Sequence, residues 1–382
     1  MDLILLFPLI FPNVGLFAYF NFILSLTITL FILFKSKKTN INIRYSIIVF
    51  FALLSTYWAA LLSGSFTLSK FALNIRDIFE FARIIPYVIL FPIMSLAIQY
   101  NFIRTIIFFF IFNVLFCIFQ YLYPYSLALQ IYTTQEKQFS ILYTHRLVGF
   151  LDNPNMFSFY LVITYFFFYE RITLPLKYFL FIFIFFMLSI VGSRTGFITF
   201  LTVTTLLLLM RSTGVKRYLS LFILTGIFFV LFLYKDMWIS ILSFLSPYMG
   251  YGIDMALSNR IEELQTITDR LQFWLDDINY FYLSPIFGVG PGYGFMERSF
   301  SDNTYIYLLA RYGIVGFLTY LFSLLLLYKW AHRNRSIFLY AVLISFIVFG
   351  LTAEVFLHNL ILYYLSILFF TYNFKTKDMK SK

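Results

Sequence analysis

Arg194, Arg270 and Arg311 are the residues whose type and surroundings best suit chemistry in this chain. A guanidinium is a planar fork of donors that stays charged and grips a phosphate at two points. Arg194 sits in Gly192-Ser-Arg-Thr-Gly196, a tight turn between two apolar runs, where it could also snorkel to lipid headgroups. Arg270 stands four residues before Trp274, so a helix would place both on one face. Asn303, Tyr307 and Arg311 recur at i, i+4 and i+8, one helical stripe that carries Arg311 about two turns into an apolar run. An arginine at such depth costs about 2.5–3.5 kcal/mol, so it calls for either a carboxylate partner or a wet cavity holding an anion. Arg83, in a run with Arg76, Asp77 and Glu80, reads either as part of a self-paired helix start or as a deeper member of the same site. Arg146, beside His145, precedes Gly149-Phe-Leu-Asp-Asn-Pro-Asn155, where Asn153 or Asn155 suits a helix cap.

A base would have to come from a carboxylate or an imidazole near these arginines. Asp302, just before Asn303, is the first candidate. Glu354 with His358, spaced for one helical turn, is the second, and Glu297 the third. Trp274 and Tyr280 could stack on sugar faces or simply pack against the membrane. Four glycines (288, 290, 292, 294) allow close backbone approach, which suits either a phosphate cradle or a plain connector. There is no phosphate-loop sequence, no H-E-x-x-H and no metal-binding Cys/His spacing. Asp276 and Asp277 diverge by about 100° on a helix, so they would not easily share one ion. Any phosphate would therefore be neutralised by arginine, with no cofactor and no bound metal expected.

The elements that must position these residues are membrane spans. The chain has 382 residues, is 61% apolar and only 12% charged, and has a mean hydropathy of +0.86. Soluble domains do not have this composition, and runs of about 20 apolar residues read as transmembrane helices. Spans are expected near 14–34, 44–63, 79–98, 104–122, 154–170, 178–193, 195–211, 218–234, 304–328, 336–352 and 355–373. The first twelve residues, with Pro8 and Pro12, are too short to span; they suit a half-helix or a hairpin arm, which leaves eleven or twelve spans. No signal peptide is expected, and the lone Cys117, inside an apolar run, excludes disulfides and cysteine-ligated metals. The fold class is all-α: a polytopic helix bundle, one integrated domain with a membrane bundle over 1–234, a large loop over 235–303 and C-terminal spans with a basic tail over 304–382. Asn259 and Glu262, followed by apolar residues at helical spacing, predict an amphipathic helix over 259–282 in that loop, lying on the membrane or on the bundle.

Charge orients the bundle. Alternate connections and the C-terminal tail carry 17 of the 28 basic residues and just two acidic ones, Glu170 and Asp378. The positive-inside rule puts that side, with the C-terminus, in the cytoplasm. The net charge of +11 is then topology and anionic-lipid contact, not a nucleic-acid footprint. The 235–303 loop falls outside, where nucleotide sugars are absent.

In order, Gly149–Asn155, Gly192–Gly196, Arg270–Trp274, Pro285–Gly294, Ser301-Asp-Asn-Thr-Tyr305 and Arg311-Tyr-Gly-Ile-Val-Gly316 resemble the motifs of the bacterial O-antigen ligase/polymerase superfamily, in particular Wzy-type O-antigen or capsular polysaccharide polymerases, over roughly 75–330. The resemblance implies a multi-pass enzyme of the bacterial inner membrane. It would be a metal-independent glycosyltransferase joining undecaprenyl-diphosphate-linked repeats on the outer face. Its partners would be that lipid-linked glycan and membrane lipids, with a chain-length regulator and a flippase as associates. Arg194 and Arg270 match the superfamily's outer-turn and loop-helix arginines. Ligases of the superfamily typically carry a histidine before the Asn that opens the post-loop span; here that position is Asp302, which favours a polymerase. The alternatives are a ligase, a polyprenyl-glycan flippase or other transporter, and a non-catalytic scaffold. Ionisable residues gathered at the outer span ends, not along the midplane, count against a transporter. Arg311 inside a span counts against a scaffold.

Overall fold

The computed structural model describes residues 2–10, 20–21, 23–25, 27–28, 31, 101–123, 132, 147–151, 153–211, 214, 218, 260–290, 303–353, 355 and 358–378. The expected spans at 44–63, 79–98 and 218–234, most of 14–34, and Arg83, Arg146, Glu297, Asp302 and Glu354 lie outside the described residues.

Among the described residues the chain is helical, with no strand. Its helices are α1 (Asp2–Ile10), α2 (Ile103–Leu122), α3 (Pro154–Tyr169), α4 (Leu174–Val191), α5 (Arg194–Arg211), α6 (Arg260–Leu283), α7 (Thr304–Asn334), α8 (Ile337–Phe349) and α9 (Asn359–Asp378). α2, α4 and α7 are each long and apolar enough to cross a membrane. The short N-terminal helix α1 includes Pro8 and packs on α2, and Tyr363 donates to the Leu5 carbonyl at 3.2 Å. The predicted loop helix over 259–282 is present as α6.

α3 forms the centre of the bundle. Its residues from Met156 to Phe167 are all buried, and it packs against α4, α5 and α8. Such all-round burial fits its nearly unbroken apolar run. α4, by contrast, leaves Leu174, Leu176, Phe179, Ile182 and Phe186 exposed, the pattern of a helix facing lipid. Short turns make α3, α4 and α5 run antiparallel in succession, and likewise α7 and α8. The starts of α3, α5 and α7 thus meet the end of α8 at one end of the bundle, called here the loop end. At the opposite, basic end a Glu170 carboxylate oxygen accepts from Ser336 Oγ at 2.9 Å and from the Phe338 amide at 3.0 Å, closing the start of α8.

α7 is broken ten residues in. Gly313 has φ 65° and ψ −166°, a conformation essentially closed to residues with a side chain. In an unbroken helix the amides of Ile314 and Val315 would bond the carbonyls of Ala310 and Arg311. Instead the segment after α6 supplies all four partners. Ile314 and Val315 donate to the carbonyls of Pro285 (2.9 Å) and Ile286 (3.1 Å). Val289 and Gly290 donate to those of Ala310 and Arg311, each at 3.0 Å. Gly288, at φ +75°, lies so close that a Cβ there would overlap the Arg311 carbonyl, and a Cβ on Gly313 would overlap that of Ile286. Irregular backbone at membrane depth survives where protein satisfies its polar groups, and residues 285–290 do so here.

Gly288→Ala and Gly313→Ala are expected to destabilise the protein by at least about 1–3 kcal/mol each from backbone strain alone. Gly214→Ala, at φ +60° with open space around it, should cost less. Melting temperatures in detergent read the difference.

Candidate functional site

A belt of small polar side chains ties the loop end together. Asn153 caps α3, its Oδ1 accepting from the Asn155 amide at 2.8 Å, and Pro154 takes the first helical turn, where no amide proton is missed. Asn155 thus does not cap the helix; its Oδ1 accepts from Ser193 Oγ at 2.8 Å. Ser193 Oγ in turn accepts from the Gly196 amide at 3.1 Å, capping α5. Gly192, at φ 66°, ends α4 in the left-handed conformation that lets the chain reverse within two residues. Gly196 lies where a Cβ would overlap Ser158, so α3 and α5 cross at close range beside the Arg194 backbone.

The belt continues across the bundle. The hydroxyls of Thr195 and Thr352 are 2.7 Å apart. Thr304 donates its amide to Gly350 O and its hydroxyl to Ala353 O, both at 2.8 Å. Asn303 then caps α7, accepting from the amides of Tyr305 (3.0 Å) and Ile306 (3.3 Å). The Gly192–Gly196 turn and the Asn303 helix start, 108 residues apart in sequence, are thereby fixed to the same 350–353 turn.

Deeper, α6 docks on α7 through a buried ion pair. Arg311 Nη2 is 3.4 Å from Asp277 Oδ1, and both side chains are fully buried. The Arg311 guanidinium carbon lies 5.3 Å from the centre of the Tyr280 ring and 5.9 Å from that of Tyr307, within cation–π range. Trp274, Asp277 and Tyr280 are three residues apart in turn, on the side of α6 turned to α7. Trp274 is half-buried, and its indole nitrogen is enclosed with no hydrogen-bond partner among the described residues. Arg270 is two turns before Asp277 on the same stripe.

The sequence offered a carboxylate or an anion cavity for Arg311; the structure supplies the carboxylate. Tyr307 and Asn303 share its helix as expected, Asn303 serving as the cap. Arg194 opens α5 at the belt. Of the pair Glu354 and His358, Glu354 lies outside the described residues. α9 begins only at Asn359, and His358 precedes it, its carbonyl accepting from the Leu362 amide at 3.1 Å. The glycine segment, expected as a phosphate cradle or a plain connector, is neither over residues 288–290, because those amides are taken by Ser284, Ala310 and Arg311.

Three partners were not foreseen. Asp277 is the first; its signal was the need of a buried arginine for a carboxylate. Asn113 and Gln120, inside α2, are the others. Gln120 Oε1 accepts from Val148 (3.3 Å) and Gly149 (3.0 Å), and Asn113 Oδ1 from Phe150 (2.9 Å), fixing the 147–151 segment. Two amides in an otherwise apolar span were visible in the sequence as groups that had to find partners.

Residues 179–321 match a family model described as O-antigen ligase. The match covers a little over a third of the chain, running from α4 through the Arg194 turn and α6 to the broken part of α7. It supports the O-antigen ligase and polymerase superfamily without separating ligase from polymerase, and with it an enzyme of polysaccharide assembly in a membrane. No curated protein matches the chain.

Asp277→Ala should destabilise the protein by about 3–5 kcal/mol, since it strands a buried guanidinium. Combining Asp277→Leu with Arg311→Met should recover most of that loss. Thermal melting in detergent tests both, and a double variant as unstable as Asp277→Ala would refute the charge explanation.

Proposed function

We propose that this chain is a glycosyltransferase that polymerises undecaprenyl-diphosphate-linked oligosaccharide repeats on the outer face of a bacterial inner membrane. The family match carries the reading most directly, because it takes in the Arg194 turn, the Arg270 helix and the mouth of α7. The polar belt supports it by fastening two of those segments, the Arg194 turn and the start of α7, to one turn at one end of the bundle. The excess of basic residues at the other end supports the orientation.

In this reading a hydroxyl at the non-reducing end of one lipid-linked unit attacks the anomeric carbon of the growing chain. The bond from that carbon to the diphosphate oxygen breaks, and undecaprenyl diphosphate leaves with the electron pair. The hydroxyl proton passes to a base, for which Asp302 stands first, then Glu354 with His358, then Glu297. Negative charge grows on the diphosphate as the bond breaks, so donors fixed beforehand lower the barrier. Arg194 and Arg270 take that role. Arg311, its charge met by Asp277, holds α6 in place. Trp274 and Tyr280 border the same helix face and suit the sugar of a bound glycan.

A ligase that delivers the polymer to a lipid core is the second reading, favoured by the family's description. Asp302, where the resemblance leads one to expect a ligase histidine, speaks for polymerisation. Deleting the gene and resolving the surface glycan on a gel distinguishes the two. Collapse of the ladder to a single capped repeat is the polymerase outcome; loss of every capped core is the ligase outcome. Arg194→Ala and Arg270→Ala should each abolish the ladder while the protein still accumulates in the membrane. Normal ladders from both variants would reject the arginine roles.

A further inference from the structure

We infer that α6 and the turn after it are themselves seated in the bilayer: the exposed apolar stripe of this loop helix is covered by lipid acyl chains of the leaflet on the loop side. Two observations carry this independently of the proposed activity.

The first is depth. Beyond the break, residues 314–334 are the continuous part of α7, about 31 Å at 1.5 Å per residue, which matches a hydrocarbon core of about 30 Å. That segment begins at Ile314 and carries its first basic residue, Lys329, near its far end, so Ile314 marks the loop-side edge of the core. Ile314, Leu318 and Leu325 are exposed within it, as lipid-facing residues should be. The backbone break at 310–315 then lies at the top of the hydrocarbon layer. Hydrogen bonds fix residues 285–290 to that break, so they share its depth. Ile286 and Phe287, both exposed, therefore sit beside Ile314 at the level of acyl chains.

The second is the division of α6 into three stripes. At about 100° per residue, Leu271, Leu275 and Tyr282 fall on one line, and all are exposed. Roughly 100° around the helix, Gln272 and Asn279 are exposed on a polar line with the half-buried Asp276. Asp277 occupies the third direction, toward α7. A helix with one protein-facing, one apolar and one polar line fits the membrane interface, where the last two face lipid and water. After α6 ends, the bond from the Val315 amide to the Ile286 carbonyl brings the exposed Ile286 against α7 beside the exposed Ile314, so apolar surface follows the chain from the loop helix to a membrane span.

The test uses the full chain in phospholipid vesicles, with its single cysteine removed by Cys117→Ala. Leu275→Cys, Ile286→Cys and Gln272→Cys are each labelled with a small fluorophore. Quenching by doxyl-labelled lipids and by aqueous iodide is then compared. The expected result is that lipid quenchers act severalfold more strongly at 275 and 286 than at 272, and iodide the reverse. Equal iodide access at all three positions would overturn the inference, since the helix would then stand in water. Protection of 275 and 286 from both quenchers would also overturn it, because a second copy of the chain or a bound prenyl tail would be the cover. Ile314→Cys, on the span itself, sets the scale for full lipid contact.

Discussion

Everything at the loop end depends on one exchange of backbone hydrogen bonds. Two bonds that α7 would make with itself are given up at Gly313, and four bonds to residues 285–290 replace them. In water such a break would cost little, because solvent would satisfy the freed groups. In a bilayer each unsatisfied group costs several kcal/mol, so the break and the segment that fills it must form together. Gly288 and Gly313 make the approach possible, each lacking the Cβ that would overlap the other's strand. The loop is thereby pinned at its C-terminal side to the span it precedes.

That pinning explains the ion pair. With residues 285–290 fixed, α6 can reach α7 only along the turns just before the break, where Arg311 stands. Asp277 meets it there, and the rings of Tyr280 and Tyr307 flank the guanidinium. A buried pair of this kind is a weak source of net stability, but removing either partner is costly. Its effect is to fix the register of α6, and with it the position of Arg270 two turns away. The polar belt does the same for Arg194, through hydroxyls and caps instead of charges.

Much of this was legible in the sequence. Among the described residues, the helices expected at 104–122, 154–170, 178–193, 195–211 and 336–352 fell within a few residues of their places, because length and hydropathy dominate in a bilayer. α6 was readable from its capping residues and its 3.6-residue period. The depth of Arg311 followed from its distance to Asn303. What was not legible depended on pairing across long separations. Nothing local in Pro285–Gly290 says that its amides are reserved for a helix break 20 residues on, and the glycines alone suited a phosphate just as well. Asp277 was weighed only with Asp276, as two carboxylates too divergent to share an ion, and its partner emerged once the arginine's place was known.

Burying Arg311 against Asp277 changes how charge is distributed near the proposed reaction. A guanidinium already facing a carboxylate offers an incoming diphosphate little net field, and separating the pair would leave Asp277 buried and charged. Positive charge for a leaving group must then come from arginines placed by the scaffold and not consumed by it. Arg194 begins a helix at the polar belt, where the positive end of the helix dipole adds to its own charge. Arg270 lies on a helix held from two sides, by the ion pair and by the loop-filled break. A donor preorganised in this way needs little rearrangement as charge develops, which is the condition under which electrostatic stabilisation of a transition state is largest. In the proposed reaction, rigid support thus falls to Arg311, and the charge for the leaving group to Arg194 and Arg270.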